Sequence, residues 1–213
     1  MSRLRAVALD HRGFTMTELL VAVAVVGIVI GGMATFMTTG QSHLQMGAGQ
    51  VEAQQNARIA FELMIREIRA AGVDPTSANF PAVVNIGGVG LPTATGFRLQ
   101  SDLDGNCNGL PVAACLNGPN ETIEYTIVGN NLRRQVLNVD PQPQVIIAGL
   151  EAAAGPAFQF QNGTGGAPAT ELDIRTVVVT LQTVPPTIAA AAQAEHGKVR
   201  IRMTDTVRLR NRT

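Results

Sequence analysis

The sequence is poor in aromatic and charged residues. Aromatic side chains make up 4% of its 213 residues, with no tryptophan and one tyrosine. A surface that stacks nucleic-acid bases needs several exposed aromatic rings, so this composition argues against such a platform. Lysine plus arginine and aspartate plus glutamate number 16 each, which gives a formal net charge of zero. No overall electrostatic field therefore attracts nucleic acid or acidic partners.

The sequence also lacks a recognisable catalytic constellation. Its three histidines, His11, His43 and His196, are scattered and have no metal-ligand spacing. No Ser-His-Asp set can be argued, and the glycine-rich stretch at Gly87 lacks the lysine of a phosphate-binding loop. We therefore predict that the protein is not an enzyme and requires no cofactor.

Cysteine is scarce as well, because the chain has only Cys107 and Cys115. A disulfide persists in exported compartments and is rare in the cytosol. We predict a disulfide between these two residues, which on chain-entropy grounds contributes about 2 to 3 kcal/mol for so short a loop.

One long apolar run is present, from Phe14 to Met37, and it contains a single carboxylate, Glu18. At 1.5 Å per residue a helix of this length spans the roughly 30 Å of bilayer hydrocarbon. A carboxylate within such a helix costs roughly 2.5 to 3.5 kcal/mol, so it usually has a specific partner. The run therefore predicts a membrane helix in which Glu18 has a function.

A short polar leader, residues 1–13, precedes the run. Cleavage between Gly13 and Phe14 would create a free amine, whose unperturbed pKa near 7.7 to 8.0 leaves much of it cationic. If such helices pack side by side with a stagger, the amine of one chain meets Glu18 of its neighbour. The alternative is signal-peptidase cleavage after Ala34, which would release a soluble protein.

The stretch R-G-F-T-x-x-E-L followed by apolar residues resembles the class III signal of type IV pilins and type II secretion pseudopilins. The resemblance implies that a prepilin peptidase cleaves after Gly13 and N-methylates Phe14. It also implies that Glu18 neutralises the amine of an adjacent subunit during assembly. The precursor would then be a single-pass protein of the bacterial inner membrane with its head in the periplasm. Its partners would be an inner-membrane assembly platform and major and other minor pilins, and its destination a pilus at the cell surface.

Residues 38–72 continue the helix with an amphipathic pattern. Glycines 40, 47 and 49 weaken its first part, since each costs about 1 kcal/mol relative to alanine in a helix. Further on, apolar residues recur at steps of three and four, which is typical of a helix face packed on a core. These residues are Ala57, Ala60, Phe61, Met64, Ile65, Ile68 and Ala71. Gly72 and Pro75 predict the end of the helix.

Residues 73–213 are predicted to form a β-rich head. The sequence order of a long helix followed by antiparallel strands predicts an α+β fold, with the helix packed on the sheet as in type IV pilins. The predicted strands are Phe97–Gln100, Thr122–Val128, Leu132–Val139, Val145–Ala148 and Phe158–Gln161. A further strand covers the region from Leu172 to Leu181, where the apolar parity changes; we predict either a bulge near Thr176 or burial on both faces.

The last predicted strand runs from Lys198 to about Arg212. Its basic residues all fall on even positions, so a strand places them on one face. Such a stripe suits a solvated or intersubunit face better than a nucleic-acid site, because no aromatic residues are interleaved with it. We therefore predict that nucleic acid is an unlikely partner.

Three further stretches resemble the PilW branch of minor pilins: Ala57–Gly72, the segment IEYTIVGNNLRR, and Val207–Asn211. The J-type pseudopilins are the next most similar. The first resemblance implies a minor pilin of a type IV pilus or of its initiating or tip complex. The alternatives are a J-type minor pseudopilin of a type II secretion system, and a signal-anchored or secreted binding module or enzyme.

The loop Ser101–Cys115 is the best candidate for a ligand site in the head. Its spacing D-x-N-x-N-G resembles the opening of a calcium-binding loop, and calcium prefers such oxygen ligands. The twelfth position, where a bidentate glutamate is expected, is Cys115, although Glu121 lies close enough in sequence to take part. The loop therefore predicts either an Asx-rich turn without metal or a calcium site. The candidate ligands are Asp102, Asp104, Asn106 and Asn108.

Overall fold

The computed structural model describes residues 14–151, 155–183 and 201–211. The predicted leader, including Gly13, lies outside these residues. The chain divides into two compact units, Met1–Gly47 and Ala48–Thr213. Its architecture is a long N-terminal helix and two antiparallel sheets, which confirms the predicted α+β fold.

Helix α1 covers Met16–Ala70. The glycines at positions 40, 47 and 49 do not interrupt it, although they were expected to loosen it. Gly72 lies just beyond the end of the helix, and its φ of 80° is the left-handed conformation that glycine adopts at low cost. Nδ2 of Asn211 donates to the carbonyl oxygens of Ala70 at 3.2 Å and Ala71 at 3.3 Å, so it caps carbonyls that the helix leaves unpaired.

The strands form a five-stranded sheet of order β1-β2-β3-β4-β5 and a three-stranded sheet of order β6-β7-β8. The first sheet contains β1 Val83–Val84, β2 Gly96–Gln100, β3 Thr122–Val128, β4 Asn131–Val136 and β5 Gln144–Ala148. The second contains β6 Phe158–Gln161, β7 Thr176–Thr183 and β8 Ile201–Arg208. A short helix, α2, covers Val112–Cys115 and a 3-10 helix covers Glu171–Asp173.

Two strand predictions were wrong in detail. Strand β4 ends at Val136 instead of Val139, because the carboxylate of Asp140 accepts the Val136 N–H at 2.8 Å and turns the chain there. The change of apolar parity before β7 is not a bulge. It arises because Leu172 lies in the 3-10 helix, so the strand pattern begins only at Thr176.

The amphipathic face of α1 packs into the core of the second unit, as its periodicity predicted. Six of its seven apolar residues are buried, and Phe61 is partly buried against the same core. Both sheets contribute to this core, whose centre is an aromatic group around Phe97. Tyr125 stacks on that ring at 5.4 Å between centroids, and Phe158 meets it edge-on at 4.8 Å. The C-terminal part of α1 therefore belongs structurally to the head.

One partly buried ionic cluster ties α1 to the five-stranded sheet. The Glu67 carboxylate on α1 accepts two hydrogen bonds from the Arg134 guanidinium on β4, at 2.6 and 3.1 Å. It also accepts the hydroxyl of Tyr125 on β3 at 2.5 Å. Burial and the negative charge of Glu67 raise the pKa of Tyr125, so the phenol remains a donor. We call these three residues the helix latch.

We expect Glu67→Ala to lower the free energy of unfolding by roughly 2 kcal/mol, because it leaves the partly buried guanidinium of Arg134 and the hydroxyl of Tyr125 without their shared acceptor. Tyr125 is the only tyrosine and the chain has no tryptophan, so tyrosine fluorescence during urea unfolding reports on this position. Glu62→Ala is the matched control, since its pair with Arg58 is exposed and worth well under about 1 kcal/mol. Equal losses in the two variants would contradict the proposed role of the latch.

Candidate functional site

Two places carry the candidate site residues: the start of α1 and the loop closed by the cysteines. At the start of α1, Thr15 and Glu18 form a capping box. The Glu18 N–H donates to Oγ1 of Thr15 at 3.3 Å, and the Thr15 N–H donates to Oε2 of Glu18 at 3.0 Å. Each side chain thus satisfies a backbone N–H at the helix end. The carboxylate of Glu18 therefore has a structural partner within its own chain.

The two oxygens of the Glu18 carboxylate differ in their surroundings. Oε2 accepts both the Thr15 N–H and the Thr15 hydroxyl, the latter at 2.9 Å. Oε1 has no hydrogen-bond partner among the described residues, and both Glu18 and the neighbouring Phe14 are exposed. The capping box therefore fixes the carboxylate at the helix end and leaves one oxygen open to an external donor.

Sequence reasoning missed this capping role, although the signal was present. Thr15 followed three positions later by Glu18, directly before an apolar run, is the pattern of a capping box. The partner predicted for Glu18 lies in another chain, whereas its observed partner, Thr15, lies in the same helical turn.

The segment Met16–Gln45 of α1 is long and apolar enough to cross a membrane, with a mean hydropathy of 2.5, and none of its most apolar part is buried. For example, Leu20 is 68% exposed, Ile28 is 76% exposed and Phe36 is 80% exposed. Such a surface needs an apolar environment, which a bilayer or a bundle of similar helices supplies.

The loop of the head is closed by the predicted disulfide, because Cys107 and Cys115 are bonded to each other. Both are buried in a small cluster with Phe80 and Leu116. The disulfide therefore fixes the loop against the head from its apolar side.

The Asp102 carboxylate is buried beneath the loop and accepts four hydrogen bonds. Its Oδ1 accepts the N–H of Gly105 at 2.8 Å and that of Asn106 at 3.2 Å. Its Oδ2 accepts the Thr76 hydroxyl at 3.1 Å and the Cys107 N–H at 3.4 Å. These bonds use the acceptor capacity of both oxygens. Asp102 therefore organises the backbone of the turn.

Glu121 supports the loop from the other side and is also buried. Its Oε1 accepts the N–H groups of Leu103 at 2.9 Å and Asp104 at 3.3 Å, and its Oε2 accepts that of Gly118 at 2.6 Å. Glu121 thus reaches the loop, as the sequence suggested. Its carboxylate accepts hydrogen bonds from backbone N–H groups there.

The structure brings oxygens of Asp102, Asp104 and Glu121 within 4.8 Å of one another. Of the predicted asparagines, Asn106 donates its side-chain amide to Asp104 at 2.8 Å, while Asn108 is exposed. Calcium takes six to eight oxygen ligands, whereas most oxygen lone pairs of the two buried carboxylates already accept hydrogen bonds. The donor set therefore fits a hydrogen-bonded turn better than a calcium site, and calcium binding stays a prediction.

The pKa values of Asp102 and Asp104 are shifted in opposite directions. Burial tends to raise the pKa of Asp102, but the hydrogen bonds from Thr76 and three backbone N–H groups outweigh it and lower that pKa. Loss of solvation and the charges of Glu121 and Asp102 raise the pKa of Asp104. At neutral pH the charge on Asp102 is therefore stabilised by its surroundings, while the charge on Asp104 is opposed by them.

The predicted basic stripe is only partly within the described residues. Arg202 and Arg208 lie on β8 and are both exposed, as expected for even positions. Arg210 follows the strand, and positions 198, 200 and 212 lie outside the described residues.

We expect Asp102→Asn to lower the melting temperature by about 5 °C or more, because the amide nitrogen cannot accept the N–H groups of the turn. Asp104→Asn should leave it unchanged or raise it by about 1 to 2 °C, because the substitution removes the repulsion from Glu121. Thermal unfolding in chelator and in millimolar calcium measures both. A drop for Asp104→Asn in calcium alone would instead establish a calcium site.

The same two variants should show different pH dependence. The ionised form of Asp102 stabilises the fold above its unfolded pKa of about 3.9, and this stabilisation is lost as pH falls through its lower folded pKa. The ionised form of Asp104 opposes folding, and this opposition is relieved as pH falls through its raised folded pKa. The difference in melting temperature between wild type and Asp104→Asn should therefore shrink between neutral pH and about pH 4. The difference for Asp102→Asn should shrink only at more acidic pH, and the reverse order would contradict these assignments.

Comparison with known proteins identifies the N-terminal segment. Residues 9–34 match the model of a family described as "Prokaryotic N-terminal methylation motif". No curated protein and no solved structure matches the chain. The match includes the start of α1 and most of its apolar run. The chain thus carries a prepilin-type methylation motif, which supports a type IV pilin-like or pseudopilin protein and implies prepilin-peptidase processing and pilin assembly.

Proposed function

We propose that the protein is a PilW-like minor pilin that assembles by helix packing into a type IV pilus or its initiating or tip complex. The observation that carries the proposal is the methylation motif at residues 9–34, at the head of an exposed apolar helix. The capping box supports it, because Thr15 holds Glu18 where a second chain can reach it.

Processing begins with hydrolysis of the peptide bond between Gly13 and Phe14 by a prepilin peptidase. The cleavage leaves a new amine on Phe14, and N-methylation of that amine keeps it basic. Phe14 is 88% exposed, so nothing in its own described chain covers the new terminus. The terminus is therefore available to a neighbouring subunit.

Assembly then pairs the Phe14 amine of one subunit with Glu18 of another. In an apolar helix bundle an unpaired carboxylate is costly, whereas a carboxylate that meets an ammonium group is compensated. Oε1 of Glu18 is open for this contact while Oε2 continues to cap the helix. The pair would fix the axial register of adjacent helices.

In this proposal the head is an interaction module without catalytic chemistry. It would reach the periplasm behind a single inner-membrane helix and later the cell surface. The partners would be the assembly platform, the major pilin and other minor pilins. The motifs at Ala57–Gly72 and Val207–Asn211 favour the pilus over a type II secretion pseudopilus, and loss of piliation rather than of secretion in a deletion strain tests that choice.

The N-terminal mass of the protein recovered from membranes tests the processing. The expected product begins at a methylated Phe14. A product that begins at Thr35 would show release by signal peptidase and would overturn the proposed function.

We expect Glu18→Gln to be cleaved normally but to reduce incorporation into filaments by about tenfold or more, because the amine of the neighbour loses its counter-charge. Thr15→Ala is the matched control: it removes the capping hydroxyl but retains the charge. Immunoblots of sheared filaments and of membranes measure incorporation. Normal incorporation of Glu18→Gln, or equal losses in both variants, would contradict a charge-pairing role.

A further inference from the structure

A groove of about 1180 Å³ lies within the second unit, between α1 and the edge of the three-stranded sheet. The helix lines it with residues from Gln54 to Ala70, and strand β8 lines it with Ile201–Asp205. Its apolar surface includes Phe61, Ile65 and Met203, of which Phe61 and Met203 are only partly buried. We call this feature the arginine groove, because arginines line it.

The arginine groove carries more positive than negative charge. Five of the described arginines line it, and two of these are paired, Arg58 with Glu62 at 3.4 Å and Arg69 with Asp205 at 3.8 Å. Among the residues that the structure describes, no further carboxylate lines it. Its arginines are Arg58, Arg66, Arg69, Arg202 and Arg210.

The other three arginines, at positions 66, 202 and 210, have no ion pair among the described residues, and all three are exposed. Three uncompensated guanidinium groups along one groove favour an anionic occupant. The neutral net charge of the whole chain makes this a local feature.

One wall of the groove is a sheet edge. Strand β8 pairs with β7 along eight residues, and on its other side it has no strand partner among the described residues. An exposed strand edge presents unpaired N–H and C=O groups that can pair with an extended segment. Partner strands are added to sheets in this way, with side-chain pockets giving specificity.

The second copy of this chain is a poor occupant. The described strands contain only two carboxylates, Glu124 and Asp205. Glu124 forms an ion pair with Arg98 at 2.6 Å within its own sheet, and Asp205 lines the groove itself. The described strands of this chain therefore offer no unengaged acidic side chain, which favours a different protein as the source of an acidic strand.

We propose that the arginine groove binds an acidic, extended segment of a different subunit of the same assembly. This segment adds as a strand to the edge of β8 that has no strand partner among the described residues. The partner's identity as a subunit rests on the proposed function above. The binding itself rests on the groove, its three unpaired arginines and the strand edge.

Fluorescence anisotropy with a labelled eight-residue peptide of alternating glutamate and valine tests the binding, with the full-length mature chain in detergent. The peptide matches the length of β8. We expect saturable binding that weakens with added salt, and little binding of the same peptide with lysine in place of glutamate. Equal binding of both peptides would overturn the electrostatic argument.

Charge reversal locates the site. The double variant Arg66→Glu, Arg202→Glu should weaken binding by about tenfold or more. Arg208→Glu is the matched control, because Arg208 is exposed on the same strand but does not line the groove. It should change the affinity by less than about twofold, and an equal effect of both changes would overturn the assignment to the groove.

Backbone methylation tests strand addition. Two peptides, N-methylated on alternate sets of amides, should differ strongly, because only one set faces β8 in an added strand. Equal affinities would overturn the added-strand geometry. Competition by a single-stranded oligonucleotide of equal charge, with no loss from either methylation, would favour a nucleic-acid site instead.

The two proposals fail separately. If the chain is processed at Phe14 and assembled but binds no acidic peptide, the groove proposal is wrong and the minor-pilin function stands. If the peptide binds but the mature chain begins elsewhere, the function is wrong and so is the assignment of the partner as a filament subunit.

Discussion

The placement of α1 on the five-stranded sheet depends on one partly buried ionic contact, the Glu67 carboxylate shared between Arg134 and the Tyr125 hydroxyl. The apolar face of α1 supplies most of the stabilising burial, but apolar contacts tolerate sliding and rotation, whereas a shared carboxylate has one geometry. The latch therefore sets the register of the helix on the sheet. A second contact fixes the end of the helix beside β2, because the N–H of Gly72, just beyond the helix, donates to the carbonyl oxygen of Gln100 at 2.8 Å.

Carboxylates that bind backbone N–H groups recur through the molecule. Glu18 caps the start of α1, while Asp102 and Glu121 together organise the disulfide loop. In each case a short acidic side chain replaces hydrogen bonds that a turn or helix end cannot make for itself. Asp102 and Glu121, which lie in the candidate metal site, and Glu18, which was predicted to act in assembly, thus also stabilise the local backbone. Glu18 differs from the other two in that one of its carboxylate oxygens has no hydrogen-bond partner among the described residues.

Much of this was predictable from the sequence. The apolar run, the helical face around Met64, the disulfide and several strands follow from periodicity and composition, which are local properties. The latch was not predicted, because Glu67 and Arg134 are far apart in sequence and nothing local links them. The same holds for Thr76, whose hydroxyl reaches Asp102. The two-residue strand β1 was missed because it is too short to show a period, and the turn after Val136 was missed because it depends on the side chain of Asp140.

The position of β8 has a consequence for biogenesis. This strand completes the three-stranded sheet, and Asn211 just beyond it closes the end of α1, yet both are synthesised after every other described element. The end of α1 must therefore be contacted by Asn211, which lies far from it in the sequence. Such a non-local contact is of the kind that slows folding. The three-stranded sheet and the end of α1 can therefore be completed only after translation has passed residue 211.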